Sequence, residues 1–156
     1  MTEIAGKAGL TMGELWASAP GKVALIDWLS RRFDLAAFRS EGDASAETHD
    51  RLFEAVMRRL EVMEPHRAAL ESIYADEGPL PLLRRISRTS TALLEAAGID
   101  SSGRRGAARS LALGYVWARL LQVWRADQSP LDRTMAETDA RLRSLHSRLR
   151  RLRAGF

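Results

Sequence analysis

Ala107–Trp124, AARSLALGYVWARLLQVW, sets apolar residues on almost every side of a would-be helix. Such a helix is stable only when other elements cover most of its surface. Arg109 and Arg119 fall on two different aspects of it, and two arginines within about 18 residues make a poor bilayer span. The stretch predicts a central core helix. Gly114 in its middle costs about 1 kcal/mol against alanine in an exposed helix. It either lets a neighbouring helix come close or is tolerated without structural use.

Downstream, Ser129-Pro130-Leu131-Asp132 precedes Met135, Thr138, Leu142, Leu145, Leu149 and Leu152, spaced alternately by three and four residues. That spacing predicts a helix with a heptad seam. Ser129 is a suitable N-cap, Asp127 and Ser129 together shape the turn and cap, Pro130 fits the first turn, and Asp132 suits the positive end of the helix dipole. The seam needs an apolar partner, either the central helix of the same chain or the same helix pair of a second copy. A two-helix unit doubling into a four-helix bundle meets both demands. The expectation is a homodimer with Leu120, Trp124, Leu142, Leu145 and Leu149 at its interface.

The 156 residues correspond to one typical domain, or one with a small appendage. The absence of cysteine excludes a disulfide framework and a thiolate metal site. No signal peptide, lipidation motif or membrane span is evident, so a soluble cytoplasmic protein is expected. Five prolines punctuate a chain rich in Ala, Leu, Arg and Glu, an all-helical composition. The net charge of +4 is unevenly spread: residues 41–77 hold four basic and ten acidic side chains, and residues 78–156 hold fifteen and six. From Arg141 onward there are six arginines and no acid. That tail suits nucleic acid or an anionic surface, or is a solvated helix face opposing its own C-terminal dipole.

The first forty residues read as short helices. Thr2 can cap one containing Ile4, Ala5 and Ala8, which Gly9 ends. After the tight Gly9-Leu10 connection, Thr11 caps a second helix, Met12 to Ala17, and Pro20-Gly21 breaks it. Lys22 opens a third, with Leu25, Leu29, Phe33 and Ala36 on one stripe. Two short helices joined by a tight glycine turn are what a helix-turn-helix requires.

The run Ile4-Ala5-x-x-Ala8-Gly9-Leu10-Thr11-x-Gly13-x-Leu15-Trp16, followed by Gly21-Lys22-x-x-Leu25, resembles the DNA-binding end of TetR-type transcriptional regulators. The resemblance implies that Thr11, Trp16 and Lys22 contact phosphates and that Met12, Gly13 and Glu14 lie towards base edges. A hydroxyl cap, an indole N–H and a lysine at a helix start suit phosphate contacts. The sequence departs from the pattern in three ways. The family has a further helix before this point, whereas Met1 stands directly at its second helix. The true start then lies upstream, a segment is left out, or DNA competence is lost; a missing helix would bare Ile4, Leu10, Leu15 and Leu25. Ala19 stands where an aromatic is usual. Glu14 brings a negative charge that accepts from cytosine but repels phosphate.

Beyond the polar run Ser40–Ser45, amphipathic helices are expected over Glu47–Met63, from Pro65 through Tyr74, and from about Pro81 to Ala97, where Gly98 stops the last. Ser101–Gly106 reads as a basic loop. The run Gly114-Tyr115-Val116-Trp117-Ala118-Arg119, then Trp124, Asp127-Gln128-Ser129, Thr134, Asp139 and Arg141, is similar to the C-terminal half of TetR-like proteins related to the ubiquinone-biosynthesis accessory family, which bind lipid instead of DNA. That resemblance spans most of residues 50–145 and implies an all-helical effector or dimerisation domain.

His49, His66 and His146 lie on separate elements without metal-ligand spacing. No catalytic or phosphate-binding motif is present, so neither an enzyme nor a metal or other cofactor is expected. Phe53, Met57, Tyr74, Tyr115 and Trp117 are candidates for an apolar ligand pocket, or are plain core. The expectation is a TetR-like all-α protein with an incomplete helix-turn-helix head over residues 1–40 and a helical ligand-binding and dimerisation domain over 46–156. Its expected partners are double-stranded DNA, a second copy of itself, and an apolar small molecule or lipid. The alternative is a lipid-binding accessory protein of the same fold that no longer binds DNA.

Overall fold

The computed structural model of the protein describes residues 1–39, 46–129 and 131–151, the last three without their side chains. The anticipated loop at Ser40–Ser45, the first-turn Pro130, and the side chains of Leu149 and Leu152 lie outside the described residues. Among those described, all regular structure is helical, as composition and periodicity predict, and no helix is long and apolar enough to cross a membrane.

The chain divides into two compact units, Met1–Arg32 and Phe33–Phe156. The boundary falls earlier than the polar run near residue 40. The last turn of the third helix belongs to the second unit, where Phe33, Asp34, Ala36 and Ala37 are all buried.

The first unit holds α1 (Thr2–Ala8), α2 (Met12–Ser18) and most of α3 (Lys22–Ala36). Met1, not Thr2, takes the cap position of α1, and Gly9 ends the helix with φ at +67°. Only glycine adopts that left-handed conformation without Cβ strain. Thr11 caps α2 as predicted. Its hydroxyl accepts from Glu14 N at 3.2 Å, and its own N–H donates to Glu14 Oε2 at 2.8 Å. This reciprocal box satisfies two helix-end donors at once. Leu15 is buried here, whereas Ile4 and Leu10 are exposed.

The second unit contains α4 (Thr48–Met63), a 3₁₀ turn at Glu64–His66, α5 (Arg67–Asp76), α6 (Pro79–Ala96), α7 (Gly103–Ala126) and α8 (Asp132–Arg151). Helix α4 packs on α6 and α8, and α7 packs on the same two, so one chain closes a four-helix ring by itself. The seam of α8 finds its partners within the chain. Leu142 and Leu145 are buried in this bundle with Leu120 and Trp124 of α7, which corrects their assignment to a dimer interface. The physical reason lies in α4: its stripe Leu52, Val56, Leu60 and Met63 is buried and offers the apolar surface that a second copy would otherwise supply. Met135 leaves the seam, being 47% exposed, and Thr134 is buried one position earlier.

Helix α7 extends at both ends beyond Ala107–Trp124, its first turn taking in part of the expected basic loop. It is not covered all round, since Leu111 is 79% and Tyr115 65% exposed. Gly114 does serve close packing. A Cβ there would stand 3.3 Å from both Ile86 Cγ2 and Ser90 Oγ of α6.

The start of α8 also differs from expectation. Ser129 does not cap it. Leu131, with φ at +66°, precedes the first turn, and its carbonyl accepts from Met135 N. The capping carboxylate comes from Asp127, whose Oδ2 accepts from Thr134 N at 2.8 Å and Thr134 Oγ1 at 2.7 Å while Oδ1 accepts from Ser129. Burial raises the Asp127 pKa, but the hydrogen bonds from Thr134 and Ser129 outweigh it and hold it at about 2, against an ordinary 3.8. A depressed folded pKa stabilises the protein above the unfolded value, and that stability is lost as pH falls towards the folded one. Asp127→Asn is therefore expected to flatten the loss of stability between pH 3.8 and about 2. Urea titrations across that range check it; an unchanged acid limb in the variant would contradict the assignment.

Candidate functional site

In the first unit α1 and α2 pack against each other across the Gly9 turn. Buried Ala5 and Leu15 lie on these two helices, which leaves the other face of α2 in solvent. Thr11, Met12, Gly13, Glu14 and Trp16 are all exposed, as is Lys22 at the start of α3. Trp16 is 57% exposed, a high value for an indole, whose burial ordinarily contributes much to stability. The six residues expected to meet DNA are therefore all exposed in one unit.

Two of them are engaged with each other. Thr11 donates both its N–H and its O–H to Glu14 Oε2, each at 2.8 Å. These bonds, the backbone one foremost, lower the Glu14 pKa. The Glu14 carboxylate is folded back onto the cap, so its predicted approach to base edges competes with the capping box. Met12, Gly13, Trp16 and Lys22 remain the surface that α2 and the start of α3 present. Trp28, which sequence reasoning missed, is also exposed, and the Arg32 guanidinium lies 5.3 Å from its ring centroid, within cation–π range. The available signal was its position off the Leu25, Leu29, Phe33 stripe.

In the second unit the five pocket candidates do not converge. Trp117 is 2% exposed and Met57 is buried, both in the bundle core, whereas Tyr115 points outward. Phe53 and Tyr74 are half-buried. Burial raises the Tyr74 phenol pKa, outweighing the opposing fields of Arg59 and Arg85. Of the five, Tyr115 alone borders the groove between α6 and α7. That groove is about 910 Å³ and is lined by Leu83, Ile86, Ser90, Leu111, Gly114 and Tyr115 among others.

Sequence reasoning also missed a buried polar cluster. Asp34 of α3 accepts from Arg59 Nε of α4 and from Thr89 Oγ1 of α6, both at 2.8 Å, and from Arg88 Nε at 3.3 Å. The Arg59 guanidinium lies 4.6 Å from the Trp117 ring centroid. Arg85 and Glu77 form a second buried ion pair. The Asp34 carboxylate is thus surrounded by donors, an arrangement suited to holding three helices in register rather than to proton transfer.

The histidines are not wholly separate in space. His49 and His146 border one cavity of about 600 Å³ with Arg51 and Arg143. His49 Nε2 lies 3.1 Å from Asp139 Oδ1, which also accepts from Arg143 Nε at 2.9 Å. His66 instead stacks obliquely with Phe33 at 5.7 Å. No group of three potential metal ligands occurs among the described residues. Compared with known protein families, curated proteins and solved structures, the chain matches none.

Proposed function

We propose that the protein is a TetR-like DNA-binding transcriptional regulator that acts as a homodimer, with the second unit serving as its regulatory domain. The observation that carries this reading is the α1–turn–α2 pair. A left-handed Gly9 and a reciprocal Thr11–Glu14 cap set two short helices on either side of a tight connection, and the outer face of α2 is left open. A helix so presented fits the major groove, with Met12 and Gly13 towards base edges and Trp16 and Lys22 towards phosphates. Two heads in a dimer would read half-sites at a fixed spacing, and a ligand of the helical domain would act by shifting that spacing.

The test is a binding titration against genomic DNA fragments over a range of salt. Sequence-selective, salt-sensitive binding is expected. Lys22→Ala should weaken binding about uniformly across sequences and reduce the salt slope by about 1. Trp16→Ala should weaken it without altering sequence preference. Absence of salt-dependent binding would remove the regulator reading. The lipid-binding alternative has one observation in its favour, the apolar groove between α6 and α7, and a co-purifying isoprenoid or fatty lipid would support it.

A further inference from the structure

The groove on the outer side of α6 and α7 is uncharged in a chain where charged residues are frequent. No Asp, Glu, Lys or Arg lines it. Its ridges are Leu83 on α6 and Leu111 and Tyr115 on α7, and Leu80 continues the α6 ridge one turn earlier. All four are more than half exposed. Together they bare on the order of 500 Å² of mostly apolar surface, at the upper end of what monomeric proteins leave in water. That is more than half of the ~800 Å² per partner that a standard stable interface buries.

We infer that this α6–α7 face is the surface on which a second copy of the chain docks, pairing two α6–α7 hairpins across a two-fold axis. Three features favour that occupant. A two-fold contact requires one patch to carry both projections and recesses. Here the recesses are the small residues Ala107, Gly114 and Ala118, lying beside Leu111 and Tyr115 on the same helix. Gly114 already brings α6 and α7 together, so the trough between the ridges is shaped for an elongated knob such as a helix ridge.

Four of the five serine and threonine hydroxyls lining the groove are also engaged. Ser90 Oγ donates to the Ile86 carbonyl at 2.8 Å, Thr91 Oγ1 to the Ser87 carbonyl at 3.2 Å, and Ser101 Oγ to Glu95. Ser110 Oγ lies 3.3 Å from Thr91 Oγ1. With these hydroxyls turned to their own helices and loops, the floor behaves as an apolar packing surface and offers little to orient a polar headgroup. Finally, the α8 seam is closed within the chain, leaving the α6–α7 face as the open apolar one on the bundle's described helices. This inference rests on the homodimeric part of the proposed function and is independent of DNA binding.

Sedimentation equilibrium of the full chain, with Leu111→Glu, Leu83→Glu and Met135→Glu variants, tests it. All three positions are exposed, so the fold should survive, as far-UV circular dichroism would verify. The wild type is expected to be dimeric at micromolar concentration. Leu111→Glu and Leu83→Glu should each raise the dimer dissociation constant about 30-fold or more, the effect of losing a hot-spot side chain. Met135→Glu, on α8, should leave it unchanged. A wild-type dimer indifferent to both groove variants, or broken by Met135→Glu alone, overturns this interface while leaving a dimeric regulator intact. A monomeric wild type overturns both the interface and the homodimer. A monomer that retains lipid in native mass spectrometry, released by Leu111→Glu, assigns the groove to lipid instead.

Discussion

Arg59→Ala is expected to destabilise the second unit by about 3–5 kcal/mol, because it leaves the Asp34 carboxylate buried without its principal cation. Arg59 is 2% exposed. Its Nε and one terminal nitrogen engage Asp34 and Thr89, and its plane covers the Trp117 ring. Removal strips all of these at once. Arg88 also approaches Asp34 at 3.3 Å, but its side chain is partly solvated and its bond longer, so it cannot replace what is lost. The informative comparison is the double variant Asp34→Leu with Arg59→Met. A buried pair exchanged for apolar side chains of similar size is often neutral or stabilising, so the double variant should recover most of the loss. Urea unfolding of the wild type, the single variant and the double variant measures both effects. A single variant within about 1 kcal/mol of wild type would show that the cluster does not hold α3, α4 and α6 together.

Trp124→Ala should be as damaging, by about 3–5 kcal/mol, since a large, fully buried side chain leaves a cavity that the bundle cannot close. The indole is held by more than packing. Its Nε1 donates to Glu64 Oε2 at 2.7 Å, and Arg67, which donates to both Glu64 oxygens and to the Trp124 and Asp127 carbonyls, lies 5.0 Å from its ring centroid. Residues 64–67, the end of α7 and the turn into α8 are therefore tied at one point. Trp124→Phe separates the contributions, because it keeps most of the volume and loses the N–H. Its expected cost is about 1.5–3 kcal/mol, the usual worth of a hydrogen bond to a charged group. Equal destabilisation by Phe and Ala would mean that the hydrogen bond, not the volume, dominates this site.

Local chemistry explains what was legible in the sequence. The succession of helices and breaks follows from apolar periodicity and from Gly9, Pro20-Gly21 and Gly98, each acting on its own neighbours. The Thr11 cap of α2 was readable because its partner Glu14 lies three residues away. For Gly114 the sequence leaves close approach and mere tolerance open, and the structure decides for close approach, with α6 as the neighbour. Where the deciding partner is remote, sequence reasoning failed. Arg59 sits in an amphipathic run that gives no sign of burial, and its carboxylate partner is 25 residues earlier. Tyr115 and Trp117 are both aromatic and two residues apart, and helical geometry turns one to solvent and the other into the core.

The sequence by itself determined that this is an all-helical protein with a short glycine-hinged helix pair at its beginning and a heptad-patterned helix near its end, since these depend on backbone preferences and on spacing of 3.6 residues per turn. Tertiary structure alone decided which apolar stripes meet. Leu142 and Leu145 would suit any complementary helix, and the choice between α4 of the same chain and a second copy depends on where α4 lies in space. Because α4 and α7 cover that seam, the groove between α6 and α7 is one of the apolar surfaces left open among the described residues. A hydrophobic pattern specifies that a face must be covered but carries no information about which face covers it.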